Sequence, residues 1–194
     1  MGLPREGALH PPERWFGQPP SGSEDARDLI LRYLAAFVPA AVRDVQTWSG
    51  RMQLKPSVEE MRPELRTFRN ERGNELLDLP EAPLPPAGTP APPRFVPDYD
   101  NLVLSHAERG RVVPNEHRKK IFLPAARVRA TFLIDGFVRG AWKIEKQRKT
   151  ATLLIEPFEP LSREDRETLR EEGERLVRFV AEPQGAETFE IRFQ

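Results

Sequence analysis

The stretch "LRTFRNERGNELLDLP", Leu65 to Pro80, decides how the first half of this chain is read. Two short apolar-bearing runs flank a charged centre with one glycine. Leu65, Phe68, Leu76, Leu77 and Leu79 offer a face to bury, and Asn70 to Asn74 is turn chemistry in which Gly73 can take positive φ. Taken alone, these residues fit a surface hairpin or the wing of a nucleic-acid-binding unit. The residues upstream select the wing. Ser23 is an N-cap candidate with Glu24 and Asp25 in the first turn behind it. Leu29, Ile30, Tyr33, Leu34 and Phe37 then recur at helical spacing, so a first helix runs to about Phe37. Pro39 suits the first turn of a second helix, Ala40 to Trp48, with Val42, Val45 and Trp48 inward and Ser49-Gly50 ending it. A third helix spans about Pro56 to Glu64, with Val58 and Met61 on its apolar side. Three helices followed by strand, tight turn and strand is the winged helix–turn–helix order.

The chain has 194 residues, 38% hydrophobic and 31% charged, so it can bury a core while keeping long solvated segments. Its 21 prolines are roughly twice ordinary usage. There is no cysteine, which excludes disulfides and thiolate metal sites. No apolar run reaches the length of a membrane helix, and the N-terminus lacks a basic-then-apolar leader pattern. The expected setting is the cytoplasm, with nucleoid association if the chain binds DNA.

Net charge is zero, yet the charges are segregated. From Leu104 to Thr150 twelve Lys/Arg stand against four Asp/Glu, a balance of +8; from Glu156 to Glu190 eleven acids stand against five arginines, a balance of −6. Four regions follow from the patterning: an irregular Pro/Gly-rich arm (1–22) in which Trp15 and Phe16 are anchor candidates, the winged helix–turn–helix domain (23–80), a semi-rigid Pro-rich linker "EAPLPPAGTPAPPRFVP" (81–97), and an antiparallel β-rich domain (98–194). In the last of these, "RVRATFLIDGFVRGAWKIE" reads as a hairpin about Asp135-Gly136, a dipeptide suited to a type I′ turn. Val128, Ala130, Phe132 and Ile134 would share one face of its first strand; Val138, Gly140, Trp142 and Ile144 would share one face of its second. "TATLLIEPF" gives a third antiparallel strand, Ser162 with Asp165 opens a helix carrying Leu169, Leu176, Val177 and Val180, and "TFEIRF" is a closing strand. The expected class is α+β: a winged helix–turn–helix domain followed by an antiparallel β-rich domain with one long helix.

Candidate contacts to phosphate lie in two places. Arg66, Arg69 and Arg72 are spaced to set guanidinium groups on one rim of the wing; the alternative is ordinary surface arginines. His117, Arg118, Lys119 and Lys120 form the densest basic run, beside Arg109, Arg111, Arg127 and Arg129, with Lys143, Lys146, Arg148 and Lys149 in the same β unit; the alternative is a solvated loop. The third helix is a poor groove reader, because Glu59, Glu60 and Glu64 oppose Lys55 and Arg62. Asp98 and Asp100 read as turn residues more readily than as a catalytic pair. Adjacent Ser105 and His106 point apart on any regular element, which speaks against a dyad. His10, His106 and His117 show no metal-ligand spacing, and there is no Gly-rich phosphate loop or dinucleotide fingerprint, so neither a metal nor a cofactor is expected.

The segments "RYLAAFVPAAVRDVQTWSG", "LRTFRNERGNELLDLP", "PRFVPDYDNLVLSHAERGRVV" and "DGFVRGAWKIEKQRKTATLLIEPF", in that order, resemble the C-terminal half of the AlkZ-like winged-helix proteins, a family of DNA glycosylases. The resemblance runs from about Arg14 to Gln194. It implies tandem winged-helix units with a basic concave surface for double-stranded DNA, and hydrolysis of the N-glycosidic bond of alkylated or crosslinked bases. The family signature is two glutamines flanking one apolar residue in the first winged-helix unit. Here Gln18, Gln46, Gln53, Gln147, Gln184 and Gln194 include no such pair, so no catalytic residue carries over. "ALHPPERWFG" resembles the exit of a preceding wing, which implies a start within the family architecture and a possible partner supplying an N-terminal unit. The implied function is DNA binding without catalysis by this chain alone. The alternatives are a winged helix that docks protein, and a glycosylase that uses an unrecognised residue, with Asp98 or Asp100 as its candidate.

Overall fold

A computed structural model describes residues 25–194. The expected cap at Ser23 and the anchors Trp15 and Phe16 lie outside the described residues. Helix α1 (Ala26–Phe37) is capped by Asp25, whose carboxylate accepts from Arg27 N–H at 2.9 Å. Helix α2 (Val42–Ser49) starts later than the sequence suggests. Ala40 is taken by the hairpin instead: its N–H donates to Leu77 O at 2.9 Å and its C=O accepts from Leu77 N–H at 2.7 Å. Helix α3 (Lys55–Met61) runs into a 3₁₀ turn, Arg62–Glu64. Strands β1 (Arg66–Arg69) and β2 (Glu75–Asp78) then pair antiparallel about a turn in which Gly73 has φ 77°. The core of this unit is Ile30, Tyr33, Leu34, Val45, Leu54, Val58, Met61, Leu65 and Leu77. Trp48, expected inward, is 38% exposed; it leans on the rings of Tyr33 and Phe37 at the rim of that core.

The Pro-rich stretch ends as strand β3 (Arg94–Val96), the edge of a five-stranded sheet in which it is followed in order by β6 (Thr131–Ile134), β7 (Phe137–Gln147), β8 (Thr150–Pro157) and β9 (Thr188–Phe193). Helix α4 (Asn101–Leu104), two 3₁₀ turns (Arg109–Arg111 and Asn115–His117), helix α5 (Arg118–Ile121) and the small β4 (Phe122–Leu123)–β5 (Arg127–Val128) ribbon lie between β3 and β6. The hairpin of β6 (Thr131–Ile134) and β7 (Phe137–Gln147) turns at Asp135 and Gly136, both at positive φ as a type I′ turn requires. Strand β8 (Thr150–Pro157) leads into α6 (Arg163–Ala181), where the Ser162 hydroxyl accepts from Asp165 N–H at 3.0 Å. Strand β9 (Thr188–Phe193) closes the sheet.

Two expectations about this sheet are corrected. β9 pairs parallel to β8, so the sheet is mixed; the 19-residue helix α6 is a crossover long enough to carry the chain back to the end where β8 begins. The face assignments also fail in part. Val128 and Val138 pack with Val103, Val113, Ile121 and Leu133 under the loops, whereas Phe132 packs with Leu153, Ile155, Leu169 and Val177 beneath α6. A bulge between Phe132 and Leu133 breaks the register with β7, and a single extra residue moves everything beyond it to the other face. Both faces of the sheet are therefore covered.

Gly140 marks the tightest approach in the sheet. A Cβ there would stand 2.2 Å from the Phe132 ring and 2.4 Å from the backbone oxygen of Glu156. Gly140→Ala should cost at least about 2 kcal/mol in chemical denaturation. Gly88→Ala, where a Cβ meets nothing within 4 Å, should leave the midpoint unchanged.

The helical unit and the loop after β3 meet at a polar joint. Tyr33 Oη donates to Ser105 O at 2.8 Å, and Ala107 N–H donates to Asp44 Oδ1 at 2.9 Å. Asp44 Oδ2 accepts from Ala41 N–H at 2.8 Å, so one buried carboxylate caps α2 and holds the loop. His106 fills the middle, with Nε2 3.2 Å from Phe37 O and Nδ1 2.9 Å from Ser105 Oγ. These partners suit a neutral ring that donates from Nε2 and accepts at Nδ1. Burial, and then the charge of Arg111, hold His106 below the ordinary histidine value. The unfolded chain thus binds the proton more readily, so this contribution to stability is present above about pH 6.5 and is lost as pH falls through the depressed folded value. The melting temperature should fall across that acid window, and His106→Gln should flatten the fall.

Candidate nucleic-acid interface

A half-open groove of about 1210 Å³ runs along this joint. Its first rim is the β1–β2 turn, with Asn70, Glu71, Arg72 and Asn74. The opposite rim is the loop from Ala107 to Arg118, and the start of α2 (Ala41, Arg43, Asp44) forms its floor. Five arginines line it, Arg43, Arg72, Arg109, Arg111 and Arg118, against three acids, Asp44, Glu71 and Glu108. One of those acids, Asp44, is already committed to two backbone N–H groups. Phe137 (40% exposed) stands at the edge where β7 begins.

The state of the arginines separates binding groups from scaffold. Arg62 is held by Glu59 at 2.8 Å and Glu75 at 2.7 Å, which fastens α3 to the hairpin and leaves that helix without a free guanidinium. Arg66 is likewise structural: it donates to the carbonyls of Pro80 and Ala82 and lies 4.0 Å from Asp78. Arg69 is on the other face of β1 and donates to Gly73 O at 3.0 Å, within its own turn. A spacing of three puts strand residues on opposite faces, so Arg66, Arg69 and Arg72 do not make one rim. Only Arg72 reaches the groove, where it pairs with Glu108 across the gap.

The basic run divides as well. His117, expected at the phosphate surface, is turned inward and is 2% exposed, its ring packed on Phe158 at 5.2 Å. Arg118 faces the groove, Lys119 is exposed, and Lys120 lies over the Phe158 ring and donates to Phe158 O at 3.2 Å. Lys146, Arg148 and Lys149 lie at the far end of β7, roughly 30 Å of strand from Phe137. There Lys146 donates to Gln184 O and Lys149 pairs with Glu187 at 2.5 Å. The groove instead recruits Arg43, which local pattern gave no reason to single out, and Arg109 and Arg111, which the charge count had placed only in the neighbourhood.

Arg109 is the most informative of these. Its guanidinium lies 4.6 Å over the Phe122 ring, and its Nε is buried with no hydrogen-bond partner. Burial, then the like charge of Arg118, push it below the ordinary arginine value. Neither Arg109 nor Arg118 pairs with a carboxylate among the described residues. Two neighbouring guanidinium groups without a carboxylate partner give this concave surface an unbalanced positive charge.

Other candidates close off. Asp100 caps α4, accepting from Leu102 N–H at 2.8 Å. Ser105 and His106 do hydrogen-bond, contrary to expectation, because they sit at the end of α4 where strand and helix periodicity no longer apply. Ser105 is fully buried and the far nitrogen of His106 faces Phe37 O, so this pair is part of the joint. No helix among the described residues is long and apolar enough to cross a membrane.

This is a mixed α+β chain with an arginine-lined groove between its helical and sheet parts. The family model for AlkZ-like DNA glycosylases matches residues 4–179, and the chain belongs to that family. Among solved structures, the Streptomyces sahachiroi DNA glycosylase AlkZ is similar at a TM-score of 0.73 and 23% identity, a likeness of fold. The match covers 94% of this chain and 50% of that one, so the chain spans half the length of its structural relative. No curated protein matches.

Replacing Arg109 and Arg118 with glutamine should weaken binding of a labelled DNA duplex and make the logarithmic salt slope shallower by about one unit per lost phosphate contact. The triple change at Lys146, Arg148 and Lys149 should do less. Glu108→Gln, which frees Arg72, should strengthen binding, as read by fluorescence anisotropy.

Proposed function

We propose that this chain binds duplex DNA in the groove between the β1–β2 turn and the Ala107–Arg118 loop, without preference for sequence and without itself cleaving the N-glycosidic bond. The observation that carries this reading is the unneutralised, partly desolvated Arg109 beside Arg118. A partly desolvated cation without a carboxylate is less well solvated than a free one, and a phosphate would supply the missing charge. Family membership supports the choice of DNA over other polyanions. The order of three helices and a hairpin supports a winged helix–turn–helix over 23–80, joined through the Pro-rich 81–97 to the sheet unit over 98–194. In this reading the hairpin turn and the loop straddle the backbone, while the glutamate-rich α3 stays out of the major groove. Phe137 offers an apolar face against an exposed base.

The absence of paired glutamines around an apolar residue supports a binding role over base excision. Glycosylases need a flipped base and a group that activates water beside the sugar; of the acids lining the groove, Asp44 is held by two backbone N–H groups and Glu108 by Arg72, which leaves Glu71 on the hairpin turn. A second reading, docking of protein, draws on the glutamate-rich α3 and on the acidic helix α6, which also exposes Phe179 (81% exposed).

Fluorescence anisotropy with the whole chain should show duplex binding that weakens steeply between 50 and 200 mM salt, by at least about tenfold. An alkylated duplex should release no base. Binding indifferent to salt, or absent at low salt, would sink the DNA reading; self-association in light scattering without a DNA shift would favour protein docking. Base release abolished by Asp98→Asn would overturn catalytic silence.

A further inference from the structure

The tertiary structure brings Glu159, at the exit of β8, against Glu116 and His117, which the sequence places more than forty residues upstream. His117 is 2% exposed, and neither of its ring nitrogens has a hydrogen-bond partner among the described residues. Its Nε2 nevertheless stands 3.0 Å from Glu159 Oε1. That distance is within ion-pair range, but the approach is not that of a hydrogen bond. A buried imidazole with both nitrogens unsatisfied is an expensive arrangement unless something else engages them.

The spacing suggests what that is. Two ligand atoms each about 2.1 Å from one ion, at octahedral or tetrahedral angles, lie about 3.0–3.4 Å apart. Ligand atoms of Glu116, His117 and Glu159 all fall within 4.8 Å of one another. The other oxygen of Glu159 is held by Arg139 at 3.2 Å, which fixes the carboxylate and leaves Oε1 turned to the imidazole. The carboxylates are exposed or half-exposed, giving an ion a path from solvent while the ring is sealed.

We propose that Glu116, His117 and Glu159 form a site for one divalent transition cation, zinc being the natural probe, with water completing its shell. One imidazole and two carboxylates suit zinc or manganese; magnesium and calcium prefer oxygen alone. The ion links the turn that carries Arg118, Lys119 and Lys120 to the end of β8, where Lys120 already lies over Phe158. Its role is to fix the basic rim of the groove. The site does not depend on DNA binding, and zinc binding is measured in the absence of DNA.

Isothermal titration of the full chain with zinc should give one site per chain, with a dissociation constant below about 100 μM. Glu116→Gln and Glu159→Gln should each weaken it by at least about tenfold, since each removes an anionic ligand. Glu164→Gln, on α6, should not. In the parent protein the His117 ring resonances should move on zinc addition, a readout that needs no variant to fold. No binding up to about 1 mM zinc, unmoved His117 resonances, or unchanged affinity in either ligand variant would overturn the site.

Discussion

The Asp44 carboxylate is buried where the helical unit meets the loop after β3, and it accepts one backbone N–H from each side, Ala41 and Ala107. A carboxylate in that position is tolerated because both oxygens are occupied by donors. Tyr33 and His106 reinforce the same joint, and burial together with the Asp44 charge pushes the Tyr33 hydroxyl far above its ordinary value, keeping it a neutral donor to Ser105 O. The loop from Ala107 to Arg118 is therefore held at a defined distance from the hairpin turn. Without that constraint the two rims of the groove would be tied chiefly by contacts of surface arginines, Arg72 with Glu108 and Arg111 with Pro39 O.

The sheet supplies the second half of the positioning. Close packing of Phe132 on Gly140, and of Gly173 of α6 on Leu153, brings strands and helix together where larger residues would collide. The bulge in β6–β7 turns Val138 toward the loop cluster with Val113 and Ile121. That cluster forms the base under the basic rim, so a one-residue irregularity in the sheet has its consequence at the groove.

Much of the fold was legible in the residues. Helical spacing of Ile30, Tyr33 and Leu34, the turn at Asp135-Gly136 and the Ser162 cap all use local rules, in which neighbours along the chain are the physical cause. The site was less legible. Counting charge found the right region, since Arg109, Arg111 and Arg118 all lie within the +8 segment. It could not tell a free guanidinium from one already bound, and Arg66 and Lys149 are held by partners distant in sequence or on another strand. His117 looked like part of a basic surface because its neighbours are lysines and arginine, yet it ends a 3₁₀ turn that runs straight into α5, and helical winding sets consecutive side chains roughly 100° apart, so the ring faces inward beside solvated neighbours.

By itself the sequence determined the longer helices and strands and their order, the family resemblance and the segregation of opposite charges, because each of these is written in neighbouring residues or in their sum; the short elements between Arg94 and Val128 were not legible there. Only the tertiary structure decided which arginines remain unpaired, that β9 runs parallel to β8, and that Glu159 meets Glu116 and His117. These depend on contacts between residues dozens of positions apart. The energy of such contacts comes from burial and desolvation at places that exist only once the chain has closed on itself.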